Sequence, residues 1–322
     1  MQVQTVRGPV DSSQLGVTLM HEHIFVFNTE IQQNYPEKWN EEERVADAIN
    51  KLNELKGRGV RTIVDVTVIG GGRYIPRIQR IARQTDLNIV VATGLYTYNE
   101  LPFYFYFRAP GTPDNPGAME DMFIKDITEG IADTGVKAAI LKCVTDEAGL
   151  TPGIERILRA VAQVHRRTGV PITTHTHAHS HRGRDQQRVF KEEGVDLTRV
   201  IIGHCGDTTE LDYLKELMDN GSTIGMDRFG IDPLLSFEDR VNTVAELCKQ
   251  GYAGQMILSQ DTSCFMDWFD PGVKEAAMPK WIYTHISDDV LPALRARGVS
   301  QAQIDQMMVE NPRRIFEHGG AY

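Results

Sequence analysis

A barrel of eight parallel strands, each followed by a helix, is the fold this sequence predicts, and two observations predict it. Short β-branched runs alternate with longer stretches of helical period along the whole 322-residue chain. Eight such runs occur, and eight strands alternating with helices favour a closed (β/α)8 TIM barrel over an open sheet. The runs are VTLMHEHIFV (17–26), TIVDVTVIG (62–70), NIVVATGLY (88–96), AAILKCVTD (138–146), PITTHTHA (171–178), RVIIGHCG (199–206), STIGMDRFG (222–230) and MILSQDTS (256–263). Between them lie amphipathic stretches such as Glu41 to Lys56, Met119 to Asp133, Ile154 to Thr168, Glu210 to Asn220 and Phe237 to Gln250. Several stop at a glycine followed by a new strand, as in KGRGVRTIV, RRTGVPITT and KQGYAGQMI, which is the helix-stop chemistry of αβ loops. No Pro/Ser-rich linker, low-complexity tract or charge block interrupts the alternation, so residues 1–322 read as one domain. A longer loop follows the eighth strand, roughly Thr262 to Pro279, and a helical tail, SQAQIDQMMVENPRRIFEHGG, follows that.

Charge narrows the partners. Acidic residues exceed basic ones by 44 to 34, a net charge of -10, which leaves no electrostatic footprint for nucleic acid or an anionic membrane. A small, uncharged partner fits better. The opening MQVQTVRGPVDSSQLG lacks a basic segment followed by an apolar one, and no apolar run approaches ~18 residues, so the expectation is a soluble, cytoplasmic protein. The four cysteines, Cys143, Cys205, Cys248 and Cys264, are widely spaced and read as reduced core or pocket residues.

Barrel enzymes place their chemistry at the C-terminal ends of the strands, and this chain puts metal-ligand residue types there. His21 and His23 sit at i and i+2 of the first run, a spacing that turns both side chains to one face. Lys142, His175, His204 and Asp261 lie toward the ends of the fourth, fifth, sixth and eighth runs. Four imidazoles and a carboxylate suit zinc, iron, cobalt or manganese, and suit calcium poorly.

With these residues in place the chain resembles the phosphotriesterase family of the amidohydrolase superfamily, and within it the phosphotriesterase-like lactonases, nearly from end to end. The resemblance implies a (β/α)8 barrel with two divalent metal ions. It assigns His21, His23 and Asp261 to one ion, His175 and His204 to the other, and a carboxylated Lys142 as the bridge. Carboxylation has a rationale of its own, since it turns a cation that would repel two metals into an anion with two oxygens.

Finer markers are similar to the lactonase branch. TGLYTYNELPFYF places Tyr96 beside the metal centre, with Tyr98 next to it on the substrate side. GMDRFG supplies Arg228, DTSCFMDWFD supplies Trp268 over an acyl chain, and GHCGDT sets Asp207 three residues after His204 as a supporting acid. The implied activity is hydrolysis of lactones, including N-acyl homoserine lactones, through attack of a hydroxide bridging the two ions. Asp261 moves the proton, Tyr96 orients the lactone, Arg228 adds a fixed donor and shapes the pocket with Trp268, and organophosphate triesters are slower substrates. Triester hydrolysis as the main activity, another esterase or amidase of the superfamily, and a non-catalytic binding barrel are the alternatives. The family resemblance also implies a homodimer, through a region that holds LPFYFYF (101–107).

Other residues have plainer readings. His177, His179 and His181 read as loop histidines, and His165, His285 and His318 as surface or packing residues in helical stretches. Cys205 lacks an activating partner and reads as a small buried thiol. VIGGGRY has neither the G-K-[ST] nor the G-x-G-x-x-G order of a phosphate loop and reads as a tight turn.

Overall fold

The computed structural model describes residues 1–112, 115–317 and 319–322. Its central sheet runs through eight strands in chain order. These are β1 (Thr18–Glu22), β2 (Thr62–Asp65), β3 (Asn88–Gly94) and β4 (Ile140–Thr145). They continue as β5 (Ile172–Thr176), β6 (Val200–Ile202), β7 (Thr223–Met226) and β8 (Met256–Leu258). The pairings along it are parallel. Around it lie α1 (Glu41–Gly57), α2 (Ile75–Ala82), α3 (Ala118–Thr128) and α4 (Pro152–Thr168). The ring is completed by α5 (Arg182–Glu192), α6 (Leu211–Asp219), α7 (Phe237–Lys249) and α8 (Leu291–Ala296). This is the (β/α)8 barrel the alternation predicts.

Local chemistry sets the helix ends. Asn40, Thr151 and Ser236 accept backbone N–H groups at the starts of α1, α4 and α7. Gly169, at φ 76°, ends α4 in the left-handed conformation. Two layers of apolar side chains result. One lies between strands and helices, and the other fills the lower barrel interior with Met20, Val64, Val90, Ile140, Ile201 and Ile257. The interior is therefore solid below and polar only at the top.

Several expected boundaries differ. The runs at 62–70, 199–206, 222–230 and 256–263 are strand only over their first few residues. In three of them amides beyond the strand, those of Thr67, Gly203, His204, Gln260 and Thr262, bond side-chain oxygens instead of a ladder. The helix expected to reach Asp133 stops at Thr128, ahead of a turn at Gly130 (φ 132°). Helix α5 has little apolar signal because it buries Gln186 and Gln187, whose amides donate to the carbonyls of His175 and Leu217. Cys143, Cys205, Cys248 and Cys264 are free and buried, as their spacing suggests. In the aromatic run Phe105 is buried, whereas Phe103 and Phe107 are 80% and 79% exposed. His318 lies outside the described residues. No described helix is long and apolar enough to cross a membrane.

Two irregularities position the site. The pairings Leu19↔Ile63 and Glu22↔Asp65 leave Met20 and His21 together opposite Val64, a bulge. Met20 joins the apolar interior, while His21 reaches the polar cluster above it. The second irregularity is the seam between β8 and β1, where the order of paired strands ends. There His21 N donates to Ser259 Oγ (3.1 Å) and Asp261 N to His21 O (3.1 Å). Just above, Phe25–Val26 pairs in parallel with Phe265–Met266 and ties the first loop to the eighth.

Gly94, the last residue of β3, has φ 145°, and a Cβ there would lie 1.9 Å from the Lys142 carbonyl oxygen. Gly94→Ala therefore forces β3 and β4 apart directly beside Lys142. We expect a loss on the order of 3 kcal/mol, from the backbone penalty and overpacking together. A lowered thermal midpoint in calorimetry checks it, and an unchanged midpoint would show that the strands yield freely.

Candidate metal centre

Residues from five strand ends converge at the C-terminal mouth, where a cavity opens to solvent. His21, His23, Lys142, His175, His204 and Asp261 all line it, so the structure brings together the whole set that the sequence singles out. His21 Nε2 is 2.8 Å from Lys142 Nζ and 3.7 Å from Asp261 Oδ1. His23 Nε2 is 3.1 Å from Asp261 Oδ1, and His204 Nε2 is 3.7 Å from Asp261 Oδ2. The rings of His175 and His204 meet edge to face at 4.5 Å. Two of these residues sit on left-handed backbone, His204 at φ 59° and Asp261 at φ 54°, where strain commonly marks a functional site.

Each imidazole turns one nitrogen inward and has the other engaged from behind. His204 Nδ1 meets Asp227 Oδ1 at 2.9 Å, and His21 Nδ1 lies 3.1 Å from Asp227 Oδ2. His23 Nδ1 meets Thr67 Oγ1 at 2.8 Å, and His175 Nε2 meets Asp146 Oδ2 at 2.6 Å. This is how metal-ligating histidines are held, with the outer partner fixing ring orientation and tautomer. Burial is the main cause that lowers the pKa of His21, His175 and His204, that of His175 to about 4. They are thus neutral at physiological pH, the form that binds metal. Burial opposes the charge on Asp261, but His204, His23 and Arg228 outweigh it and hold the carboxyl well below its usual range. One donor atom each from His21, His204 and Asp261 lies within 4.8 Å of the others, close enough to share an ion. The donor set fits a divalent metal centre.

The substrate-side residues surround this cluster. Arg228 donates from Nε to Asp261 Oδ2 (3.1 Å) and from Nη1 to Asp207 Oδ2 (3.0 Å). Asp207 is also 2.8 Å from Arg240 Nη1, so it reaches the cluster through Arg228. Tyr96 lies edge-on to His175 at 5.7 Å, and its hydroxyl is 2.8 Å from that of Tyr98. Trp268, half exposed, lies 6.0 Å from the Tyr96 ring at the rim. His177 bonds Ser180 and His181 bonds Glu210, away from the cluster, while His165 and His285 are buried packing residues.

Four residues of this network are not singled out by the sequence: Asp227, Asp146, Thr67 and Glu22. Period-two spacing offered a signal for two of them, since Asp146 is four residues after Lys142 and Asp227 four after Thr223, on the same faces. Glu22 lies between the two histidines and faces the other way.

A barrel with such a cluster at its C-terminal mouth belongs to the class of metal-dependent hydrolases. Comparison with known proteins narrows the class. The model of the phosphotriesterase family matches residues 1–316. A phosphotriesterase homology protein of Mycobacterium tuberculosis (strain ATCC 25618 / H37Rv) is 61% identical over 323 residues, covering 100% of this chain and 99% of that protein. An aryldialkylphosphatase of Saccharolobus solfataricus is 40% identical over 309 residues, covering 95% and 96%. The solved structure of the phosphotriesterase from Mycobacterium tuberculosis superposes with a TM-score of 0.98 at 61% identity, covering 100% of both chains. The chain belongs to the phosphotriesterase family, whose members are binuclear-metal enzymes.

Proposed function

We propose that this hydrolase is a lactonase that opens lactones, N-acyl homoserine lactones among them, and hydrolyses organophosphate triesters more slowly. The observation that carries the reading is a half-buried phenol set against the imidazoles. Burial, with Tyr98 adding to it, holds Tyr96 well above the ordinary phenol range, so its hydroxyl remains a donor at neutral pH. A lactone laid over the histidines places its ring oxygen or carbonyl beside that hydroxyl. The cavity wall adds Val26, Ile231, Leu234, Met266 and Trp268, which suit one apolar tail. A phosphotriester centre, by contrast, carries three substituents that each need room on attack.

In this reading His21, His23 and Asp261 would hold one ion, His175 and His204 the other, and a carboxylated Lys142 would be shared by both. Two divalent ions so held would supply hydroxide near neutral pH and a Lewis acid for the carbonyl. Burial pushes the Lys142 amine down to about 8, which raises the share of neutral amine able to add carbon dioxide. Asp261 takes the proton of the attacking water and returns it to the alkoxide as the ring opens. Arg228, bonded to Asp261 and Asp207, keeps the Asp261 carboxylate turned inward. Trp268 covers the tail, and the exposed Phe103 and Phe107 supply a homodimer contact.

The name of the 40%-identical relative, aryldialkylphosphatase, favours a second reading with triesters as main substrates. Specificity constants on metal-loaded protein separate the two. We expect the best lactone to exceed paraoxon by at least ~10-fold, equivalent to about 1.4 kcal/mol of transition-state binding. Tyr96→Phe should narrow the gap by deleting only the hydroxyl. A wild type that prefers paraoxon sinks the lactonase reading, and an unchanged ratio in the variant removes Tyr96 from the explanation.

A further inference from the structure

We propose that Glu22 is a positioning residue, one that sets the backbone conformation of Asp261 and so the strength with which the site holds a metal ion. The proposal rests on Asp261 being a ligand, as in the reading above. Glu22 follows His21 directly, yet its buried carboxylate reaches across the seam to the segment after β8. Oε1 accepts from Ser259 Oγ at 2.7 Å and from Gln260 N at 2.9 Å, and Oε2 accepts from Thr262 N at 3.0 Å. The two amides belong to the residues on either side of Asp261. One carboxylate thus brackets the residue from both flanks.

That bracket matters because of the conformation it encloses. Asp261 has φ 54°, a region a non-glycine residue keeps only when its surroundings over-determine it. Further bonds complete the frame. His23 N donates to Thr262 O (2.9 Å), and Trp281 Nε1 lies 2.8 Å from Gln260 O and 3.1 Å from Asp261 O. Together they turn the Asp261 side chain toward the imidazoles.

The chemistry of the bracket also argues for position over mere closure. Each of the other neighbouring strand pairs is joined by a backbone ladder, whereas β8 and β1 are not neighbours in the strand order. At this seam the chain must leave strand geometry to aim Asp261, and the amides freed by that departure need acceptors. Both side-chain oxygens of Glu22 face donors, three in all, so this place calls for two acceptor atoms. An amide in its place would point N–H at N–H on one side.

The test is Glu22→Gln, compared with wild type as metal-free protein titrated with zinc or cobalt in a calorimeter. We expect metal affinity to fall about 10- to 100-fold, the usual cost of losing a residue that orients a ligand. A crystal structure of the metal-free variant should show Asp261 relaxed out of the left-handed region, with circular dichroism unchanged. Affinity within ~2-fold of wild type, or weakened affinity with Asp261 unmoved, overturns the proposal. Should Glu22→Gln not fold, Glu22→Asp carries the same test, because it keeps both acceptor oxygens but draws them back from the two flanking amides; a loss of affinity with Asp261 relaxed supports the proposal, and no loss overturns it. Neither readout uses a substrate, so failure of the lactonase reading and failure of this inference are distinguishable.

Discussion

Lys142→Met should strip the site of bound metal and lower hydrolysis by more than about 100-fold, beyond the 10- to 100-fold that residues behind the ligands typically cost. Lys142 is 1% exposed at the centre of the cluster, with Nζ 2.8 Å from His21 Nε2. Methionine keeps the length and the packing but offers no oxygen to bridge two cations. A short carboxylic acid added to the buffer should restore part of the activity by placing a carboxylate where the proposed carbamate would stand. Intact mass of gently handled wild-type protein gives an independent reading, since carboxylation adds one carbon dioxide. Full metal content in Lys142→Met, or an unmodified lysine beside two bound ions in a crystal of the wild type, counts against the assignment.

The second large effect is expected at His204. His204→Ala removes an inward nitrogen and should also cost more than about 100-fold in activity, with at least one ion lost by elemental analysis. Asp227 gives the comparison. Its Oδ1 accepts from both the backbone N–H (2.8 Å) and Nδ1 (2.9 Å) of His204, while Oδ2 faces His21. Asp227→Asn should cost about 10- to 100-fold, because the rings keep their places but lose the partner that fixes them. The double variant should lose less than the two single losses combined, since both act on one ion. Wild-type metal content in His204→Ala would remove that histidine from the centre.

How far the sequence reached can be judged from particular residues. The fold was legible because eight β-branched runs alternate with helical stretches, and because helix ends carry their glycines and capping residues. His21, His23, Lys142, His175, His204 and Asp261 were legible because inward side chains at strand ends are a simple consequence of alternation and connection. The bulge that turns His21 into the barrel left no mark in VTLMHEHIFV, since it arises from pairing with β2. Strand lengths were overestimated in VTLMHEHIFV and MILSQDTS for a related reason. Both retain strand-like composition after the backbone has turned aside, His23 N in the first to Thr262 O and Thr262 N in the second to the Glu22 side chain. Asp227 was masked by Arg228 beside it. Glu22 was hidden because two of its three partners are backbone amides, which carry no residue code.

The short pairing of Phe25–Val26 with Phe265–Met266 bears on how such an enzyme can change its diet. It makes the base of the first loop and the base of the eighth one rigid rim, inside which Val26 and Met266 both face the cavity. Variation is thereby pushed outward, to Trp268, Phe269 and the residues beyond them. A loop transplanted from a relative should be joined after Met266: a junction there exchanges the tail cover alone, whereas one at Thr262 also cuts the rim.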